Sequence, residues 1–185
     1  MKNFLQFIVI SFLFSSCSIP NMVVIELESK SSSETNGFIV FTEEDSKVTM
    51  EATISNLEPG EHAIHIHEKS DCSSSDGKSA GGHWNPTLES HGEWGDSTGF
   101  HRGDIGNFNV DENGNGTVSF STDLWCLDCD DLNKNIIGKS IIIHQGSDDL
   151  ISQPSGAAGS RIACGGIIEE NALLASEDTI TIYKD

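Results

Sequence analysis

The fold class is indicated most clearly by the stretch VTMEATI, residues 48–54, in which apolar and polar side chains alternate. Its four apolar members would share one face of an extended chain, and the threonines and the glutamate the other. Such alternation with a period of two is typical of a β-strand that buries one face. The sequence LEPG at residues 57–60 follows as a turn, and residues 63–67 are strand-like again.

Short apolar runs recur along the rest of the chain, separated by residues that favour turns. They lie at residues 23–27, 38–41, 117–120, 140–144 and 161–168. The sequence NGNG at residues 113–116 is a strong hairpin signal. Residues 172–176 weakly indicate a helix, and residues 179–183 a further strand. Many short strands with regular turns predict an all-β fold, as an antiparallel sandwich or barrel.

Two segments depart from this pattern because they are rich in glycine, serine and polar residues. The first, residues 71–106, also contains histidine, aspartate and tryptophan, and the second covers residues 147–160. A long loop inside a compact domain usually carries function or is ordered by something other than its own core. We therefore expect these two loops to contribute to the functional site.

Two histidines on the strand-like run at residues 63–67 are spaced as a pair of metal ligands would be. His65 and His67 are two positions apart, so they point to one face, while the adjacent isoleucines point to a core on the other. The alternative is an exposed pair without a ligand. His144 ends another apolar run, and on its own it is more typical of a structural side chain.

The first long loop holds a second group of candidate ligands. They are His83, His91, His101 and Asp104. Three imidazoles and one carboxylate satisfy a tetrahedral Zn²⁺ site. Because no position is left for water, such a site would be structural and would order a loop with little apolar content. The alternative is a set of unrelated loop histidines.

Five sequence blocks together resemble the copper/zinc superoxide dismutase family. They are His65-Ile66-His67, GGHWNP at 81–86, HRGDIGN at 101–107, Ile143-His144 and GSRIACG at 159–165. The resemblance covers residues 23–168, and five blocks in the right order are far more specific than any one of them. It implies an eight-stranded antiparallel Greek-key β-barrel or sandwich with two long functional loops.

The resemblance also implies a role for individual residues. The implied copper ligands are His65, His67, His83 and His144. The implied zinc ligands are His83, His91, His101 and Asp104, so that His83 would bridge the two metals. Asp148 would join ligands of the two sites, and His62 would be a structural histidine beneath the copper. Cys72 and Cys164 match the family's disulfide.

The activity implied by the resemblance is the conversion of two superoxide ions and two protons to oxygen and hydrogen peroxide. Copper would be the redox metal, zinc would hold His83, and His83 would deliver a proton to the forming peroxide. Arg161 would attract the anion. The competing hypotheses are a module that stores or delivers metal and a structural scaffold, but the intact ligand set and Arg161 favour the enzyme. A homodimer is left open.

The charge of the chain limits its partners. The formal net charge is −19, whereas nucleic acid binding needs clustered lysine and arginine, so no nucleic acid partner is expected. The segment 145–160, which leads up to Arg161, contains no lysine or arginine. Members of the family often place lysine in this loop to guide superoxide, so we expect weaker steering here. Ser155 stands where many relatives have threonine.

The first residues are typical of an export signal. Lys2 precedes an apolar run from Phe4 to Phe14, which is shorter than the roughly 20 residues of a membrane-spanning helix. Cys17 follows two serines, where a bacterial lipoprotein signal places its lipid-modified cysteine; a simple cleaved signal is the alternative. We expect a lipid-anchored protein of the cell envelope, in the periplasm or on the outer surface. The expected divisions are a signal at 1–16, a linker at 17–22, the domain at 23–168 and an extension of unknown role at 169–185.

Four cysteines remain when Cys17 is set aside: Cys72, Cys126, Cys129 and Cys164. Export permits disulfides, and four cysteines allow three pairings, among which spacing alone does not choose. Cys126 and Cys129 form a C-x-x-C pair, which can be a local disulfide, a redox motif or half of a metal site. We favour a local disulfide that clamps a loop.

Overall fold

The computed structural model describes residues 21–168 and the main chain of residues 172–174. Within this part of the chain there are nine strands and one turn of 3-10 helix, Lys78–Ala80. The strands are β1 (Asn21–Ser29), β2 (Asn36–Glu44), β3 (Lys47–Ser55), β4 (Gly60–His67), β5 (Gly106–Val110), β6 (Gly116–Thr122), β7 (Ser140–His144), β8 (Arg161–Gly166) and β9 (Ala172–Leu174). No helix among the described residues is long and apolar enough to cross a membrane.

The first eight strands form a closed antiparallel barrel. Their order is β2-β3-β6-β5-β4-β7-β8-β1, and the pairing of β1 with β2 closes the ring. Because β3 lies beside β6 and β4 beside β7, the connections cross over as in a Greek key. The eight-stranded Greek-key barrel expected from the sequence is therefore confirmed. Closure pairs the edges that an open sheet would expose.

The alternation in residues 48–54 has the predicted consequence. Val48, Met50, Ala52 and Ile54 are buried inside the barrel, and the residues between them face outward or are partly exposed. On β4, Ile64 and Ile66 are fully buried in the same core. The opposite face of β4 carries His65 and His67, which are covered by the long loops rather than by core side chains.

Two local expectations differ from the structure. Strand β5 was not predicted, because GNFNV offers only two apolar side chains among two asparagines and a glycine. The weak helix signal at residues 172–176 was wrong for residues 172–174, which pair with residues 21–23 of β1 as β9. An available strand edge outweighs a weak local preference for helix.

Several expectations fall on residues that the structure does not describe. The signal at residues 1–16, the lipid on Cys17 and the further strand at residues 179–183 lie outside the described part of the chain. Strand β1 begins at Asn21, two positions before the apolar run that predicted it.

The long loop between β6 and β7 is tied to both the barrel and the first metal loop. Trp125 is fully buried, packs edge-on against Phe41, and donates a hydrogen bond from its indole nitrogen to the carbonyl of Arg102 at 2.8 Å. Arg102 belongs to the HRGDIGN block, so this contact holds the block against the end of the barrel.

Candidate metal centre

Neighbouring strands β4 and β7 supply three of the histidines. His65 pairs with Ile142 across the two strands, and His144 ends β7 at a small irregularity in its pairing with β8. The ring centroids of His65 and His144 are 5.0 Å apart, and those of His67 and His144 are 5.6 Å apart. The structure therefore places His144 beside the two histidines of β4.

The first long loop folds back onto β4 and brings its ligands with it. His83 forms an isolated bridge with His67, and Trp84 donates a backbone hydrogen bond to the carbonyl of Ile66 at 2.8 Å. The amide of Ile66 donates in turn to Gly103 at 2.9 Å. A β-carbon on Gly103 would overlap the carbonyl of Ile66, so only glycine permits this approach.

These contacts assemble two groups of side chains, each with its candidate ligand atoms within 4.8 Å of one another. The first group is His65, His67, His83 and His144, and the second is His83, His91, His101 and Asp104. All seven residues are buried. The structure thus brings together the two sets implied by the resemblance, with His83 common to both.

Six buried imidazole nitrogens in these groups make no well-aligned hydrogen bond within residues 21–168, although Nδ1 of His91 and Nδ1 of His101 lie 3.0 and 3.2 Å from the Asp104 carboxylate. They are Nδ1 of His65, His91 and His101, and Nε2 of His67, His83 and His144. Unpartnered buried nitrogens are costly in a folded protein, and a bound cation would satisfy them. The four imidazoles of the first group fit copper, and the three imidazoles with one carboxylate of the second group fit zinc.

The opposite ring nitrogens of four ligands are held by the protein. His65 and His91 donate from Nε2 to the two carboxylate oxygens of Asp148, at 2.7 and 2.9 Å. His67 donates from Nδ1 to the carbonyl of Gly81 at 3.0 Å, and His144 points Nδ1 at Gly159 at 3.5 Å. These bonds orient each ring so that the other nitrogen faces its group. Asp148 therefore links a histidine of each group.

The first group favours neutral imidazoles. Burial lowers the pKa of His67 well below its ordinary value, and nearby His83 and Arg161 lower it further. Burial likewise lowers the pKa of His144, with a contribution from His65. Burial also lowers the pKa of His83 to about 4, although the carboxylate of Asp104 opposes this. Neutral rings are the form that binds a metal.

The second group favours positive charge. Burial would raise the pKa of Asp104 and of Asp148, but hydrogen bonds from the histidines hold both pKa values far below the ordinary range. Burial would lower the pKa of His91, but its bonds to the same two carboxylates raise it to about 9. The ionised, buried carboxylate of Asp104, which belongs to the second group, would be satisfied by a divalent cation.

The first group opens to solvent through a cleft of about 450 Å³. Its walls include His67, His83 and His144 at the base, with Arg161 and Ser155 from the second long loop and β8. The guanidinium of Arg161 donates to the carbonyl of Gly77 at 2.9 Å, which fixes the cation beside the histidines. A small anion entering the cleft would meet Arg161 and the first group together.

The structure also pairs the cysteines. Cys72 is bonded to Cys164, which joins the first long loop to β8, and Cys126 is bonded to Cys129 within the β6–β7 loop. The second pair closes a loop of only a few residues. His62 lies beneath His144, whose carbonyl is 2.8 Å from the Nδ1 atom of His62, and it is not part of either group.

Three supporting residues had no role in the sequence analysis. Asn107 accepts from the amide of Asp148 at 2.8 Å and donates to its carbonyl at 2.9 Å. Gly156 lies against the Asp148 carboxylate, and Gln153 bonds the backbone of His91. Asn107 stands in a recognised block, but its role depends on a partner 41 positions away. Nothing local in the sequence marks Gln153.

The barrel, with two ligand groups that share one imidazole on its outer face, defines a class of β-barrel proteins built around a pair of metal sites. The sequence profile of copper/zinc superoxide dismutase matches residues 35–167. The chain belongs to the copper/zinc superoxide dismutase family.

Two similar curated proteins have different activities in their names. An extracellular superoxide dismutase [Cu-Zn] of Caenorhabditis elegans is 40% identical over 145 residues, which cover 74% of this chain and 63% of that protein. A copper chaperone for superoxide dismutase of Homo sapiens is 34% identical over 151 residues, covering 74% of this chain and 51% of that protein. The chain thus spans less than two thirds of the length of either relative.

Solved structures show the same fold. A double mutant of a SOD-like protein from Bacillus subtilis superposes with a TM-score of 0.72 at 33% identity, covering 82% of this chain and 99% of that one. The clock protein EA4 superposes with a TM-score of 0.68 at 32% identity, covering 84% of this chain and all of that one.

Proposed function

We propose that the protein is an active superoxide dismutase, with copper held by His65, His67, His83 and His144 and zinc held by His83, His91, His101 and Asp104. The observation that carries the proposal is the position of His83. Its Nδ1 atom lies 2.8 Å from Asp104 in the second group, while its buried Nε2 atom faces the first group without a hydrogen bond. One imidazole is therefore available to both metals.

The overall reaction is two superoxide ions and two protons giving oxygen and hydrogen peroxide. Bound copper would supply the one-electron exchange, oxidising one superoxide and reducing the next, which zinc cannot do because it has no accessible second oxidation state. His83 holds and releases the proton at Nε2, beside the cleft. The buried Nε2 atom has no hydrogen bond to another protein group in the described residues, so it is free to pass its proton to the forming peroxide.

Arg161 would bind the anion and orient it. Its guanidinium is half-buried and fixed by Gly77, so it contributes a positive charge without reorganisation when superoxide enters. Glu68 also lines the cleft and opposes that charge. In a chain of net charge −19, Arg161 is then central to the rate of encounter.

A copper chaperone is the second candidate, and the similarity to the human and rat copper chaperones favours it. A chaperone would release copper to a partner, whereas a dismutase turns over superoxide with copper retained. The complete ligand set, the shared His83 and the fixed Arg161 support the enzyme.

We also propose that the protein is exported and anchored by lipid on Cys17, and that it protects the cell envelope from superoxide. The apolar run before Cys17, the two disulfides and the similarity to a relative named as extracellular support export. Mass spectrometry of the N-terminal peptide tests the anchor, since a Cys17→Ser variant would lack the added acyl mass. Sedimentation of the detergent-free Cys17→Ser protein would show whether it forms a homodimer.

The activity is tested by measuring superoxide dismutation of the purified protein loaded with both metals, beside a His144→Ala variant. Fast dismutation that collapses in the variant supports both the reaction and the copper assignment. Absence of dismutation with one copper and one zinc bound per chain would reject the enzyme. Transfer of copper to an acceptor protein under those conditions would then support the chaperone.

A further inference from the structure

The backbone of His91 is held by the side chain of Gln153, which comes from the other long loop. The amide of His91 donates to Oε1 of Gln153 at 2.9 Å, and Nε2 of Gln153 donates to the carbonyl of His91 at 2.8 Å. A third bond, to the carbonyl of Ile151 at 3.2 Å, fixes the orientation of the Gln153 amide. The backbone N–H and C=O of His91 are thus both bonded to the side-chain amide of Gln153, as they would be to a neighbouring strand in a β-sheet.

The remaining ligands of the second group are held in a different way. His83 is bridged to His67 on β4, and the turn from His101 to Asp104 is tied to β4 through Gly103. Backbone contacts with β4 therefore fix the positions of these ligands relative to the barrel. Within residues 21–168, by contrast, the hydrogen bonds made by the His91 backbone run to Gln153.

The same loop also holds the ring of His91. Asp148 accepts from Nε2 of His91 at 2.9 Å, and Asn107 fixes the backbone of Asp148 to β5. The ring and the backbone of His91 are therefore fixed by two residues of one loop, five positions apart. Such a double attachment leaves Nδ1 aimed at the second group, 3.0 Å from Asp104.

We propose that Gln153 is a positioning residue that holds His91 in place for zinc. This inference rests on the proposed assignment of zinc to the second group. Groups that orient a metal ligand typically change metal affinity 10- to 100-fold when removed. The three hydrogen bonds of Gln153 run to His91 and Ile151, and not to the first group or to the strands β4 and β7 that carry it. Loss of Gln153 will therefore weaken zinc binding far more than copper binding.

The test uses the full chain, stripped of metal and titrated separately with zinc, with cobalt as a spectroscopic substitute, and with copper. Gln153→Met keeps the length of the side chain and removes its three hydrogen bonds. Ser152→Ala is the matched control, because the hydroxyl of Ser152 donates to Asp149 within the same loop and not to a ligand. Circular dichroism of the metal-free forms establishes that each variant is folded.

We expect zinc to bind Gln153→Met about ten-fold more weakly than the wild type and to dissociate faster. The visible bands of tetrahedral cobalt are expected to shift, while copper affinity changes less than three-fold and Ser152→Ala matches the wild type. Equal loss of zinc and copper affinity would mean a general loosening of the loop, and unchanged zinc affinity with an unchanged cobalt spectrum would likewise overturn the inference. A wild type that binds no zinc would instead reject the proposed function itself.

Discussion

Gly156 lies against Asp148 so closely that a β-carbon at position 156 would overlap the Asp148 carboxylate. The same β-carbon would lie 2.7 Å from Nε2 of His91, and Gly156 has a φ of +68°, a conformation that other residues adopt only with strain. Glycine at this position is therefore what allows Asp148 to reach both His65 and His91.

Gly156→Ala is expected to push Asp148 away from the two histidines. Zinc affinity should fall by one to two orders of magnitude, and dismutation should fall with it. The matched control is Gly95→Ala, since Gly95 also has a positive φ, +86°, but a β-carbon there would meet nothing within 4 Å. Comparison of zinc titrations separates the contact from backbone strain, and equal behaviour of the two variants would contradict the prediction.

Much of the barrel could be predicted because its signals are local. The alternation of residues 48–54 arises because one face of the strand is buried. Adjacent residues of a strand point to opposite faces, so once Ile64 faces the core, His65 must face away from it. Strand β5 was missed because only Phe108 and Val110 mark it in the sequence; both are buried in the core, and the strand is completed by pairing with β4, which is distant along the chain.

The candidate site divides in the same way. Its ligands stand in sequence blocks that resemble a family, so they could be named before their geometry was known. Gln153 could not be named, because its partner His91 is 62 positions away and a surface glutamine carries no local signal. The pairing of Cys72 with Cys164 was likewise implied by the resemblance and did not follow from counting cysteines.

Metal-free protein is expected to be most stable near pH 6.5. The pKa of His83 falls from 6.5 to about 4 on folding, and those of His67 and His144 are lowered too, so their contribution is present above pH 6.5 and lost as pH falls toward 4. The loss from His83 alone is about 3 kcal/mol. The pKa of His91 is raised to about 9, so its contribution is lost as pH rises from 6.5 to 9.

Urea unfolding of the metal-free protein between pH 4.5 and 9 checks this expectation. A His91→Asn variant should keep the acid decline and lose the alkaline one. A urea midpoint that stays constant from pH 6.5 to 4.5 would show that the buried imidazoles do not govern acid stability.

The two disulfides are expected to contribute unequally to stability. Cys72 and Cys164 are 92 positions apart, whereas Cys126 and Cys129 are 3 apart, and the entropy removed from the unfolded chain grows with loop length. Replacing both members of a pair by serine should cost about 5 kcal/mol for the first and about 2 kcal/mol for the second. Urea unfolding with metals bound measures both.

Dismutation provides the second measurement on the disulfide variants. The variant without Cys126 and Cys129 should retain most of its activity, because neither cysteine belongs to a ligand group and the contact of this loop with the first metal loop is made by Trp125. The variant without Cys72 and Cys164 should lose activity as well as stability, since this bond holds the segment that fixes Arg161 through Gly77. A loss of activity confined to the Cys126–Cys129 variant would show that the C-x-x-C pair has a chemical role.

Added positive charge at the cleft is expected to speed the reaction. Leu88 lines the cleft and is 89% exposed, so a lysine there would project into solvent beside Arg161 without disturbing packing. Because the chain is strongly acidic, Leu88→Lys should raise kcat/KM two- to three-fold at low ionic strength, and Leu88→Glu should lower it. Leu132→Lys is the control, since Leu132 is similarly exposed, at 79%, but lies outside the cleft. Salt screens such interactions beyond roughly 3 Å at 1 M, so the three variants should converge there. If Leu132→Lys accelerated the reaction as much as Leu88→Lys, net charge rather than charge at the cleft would set the rate of encounter.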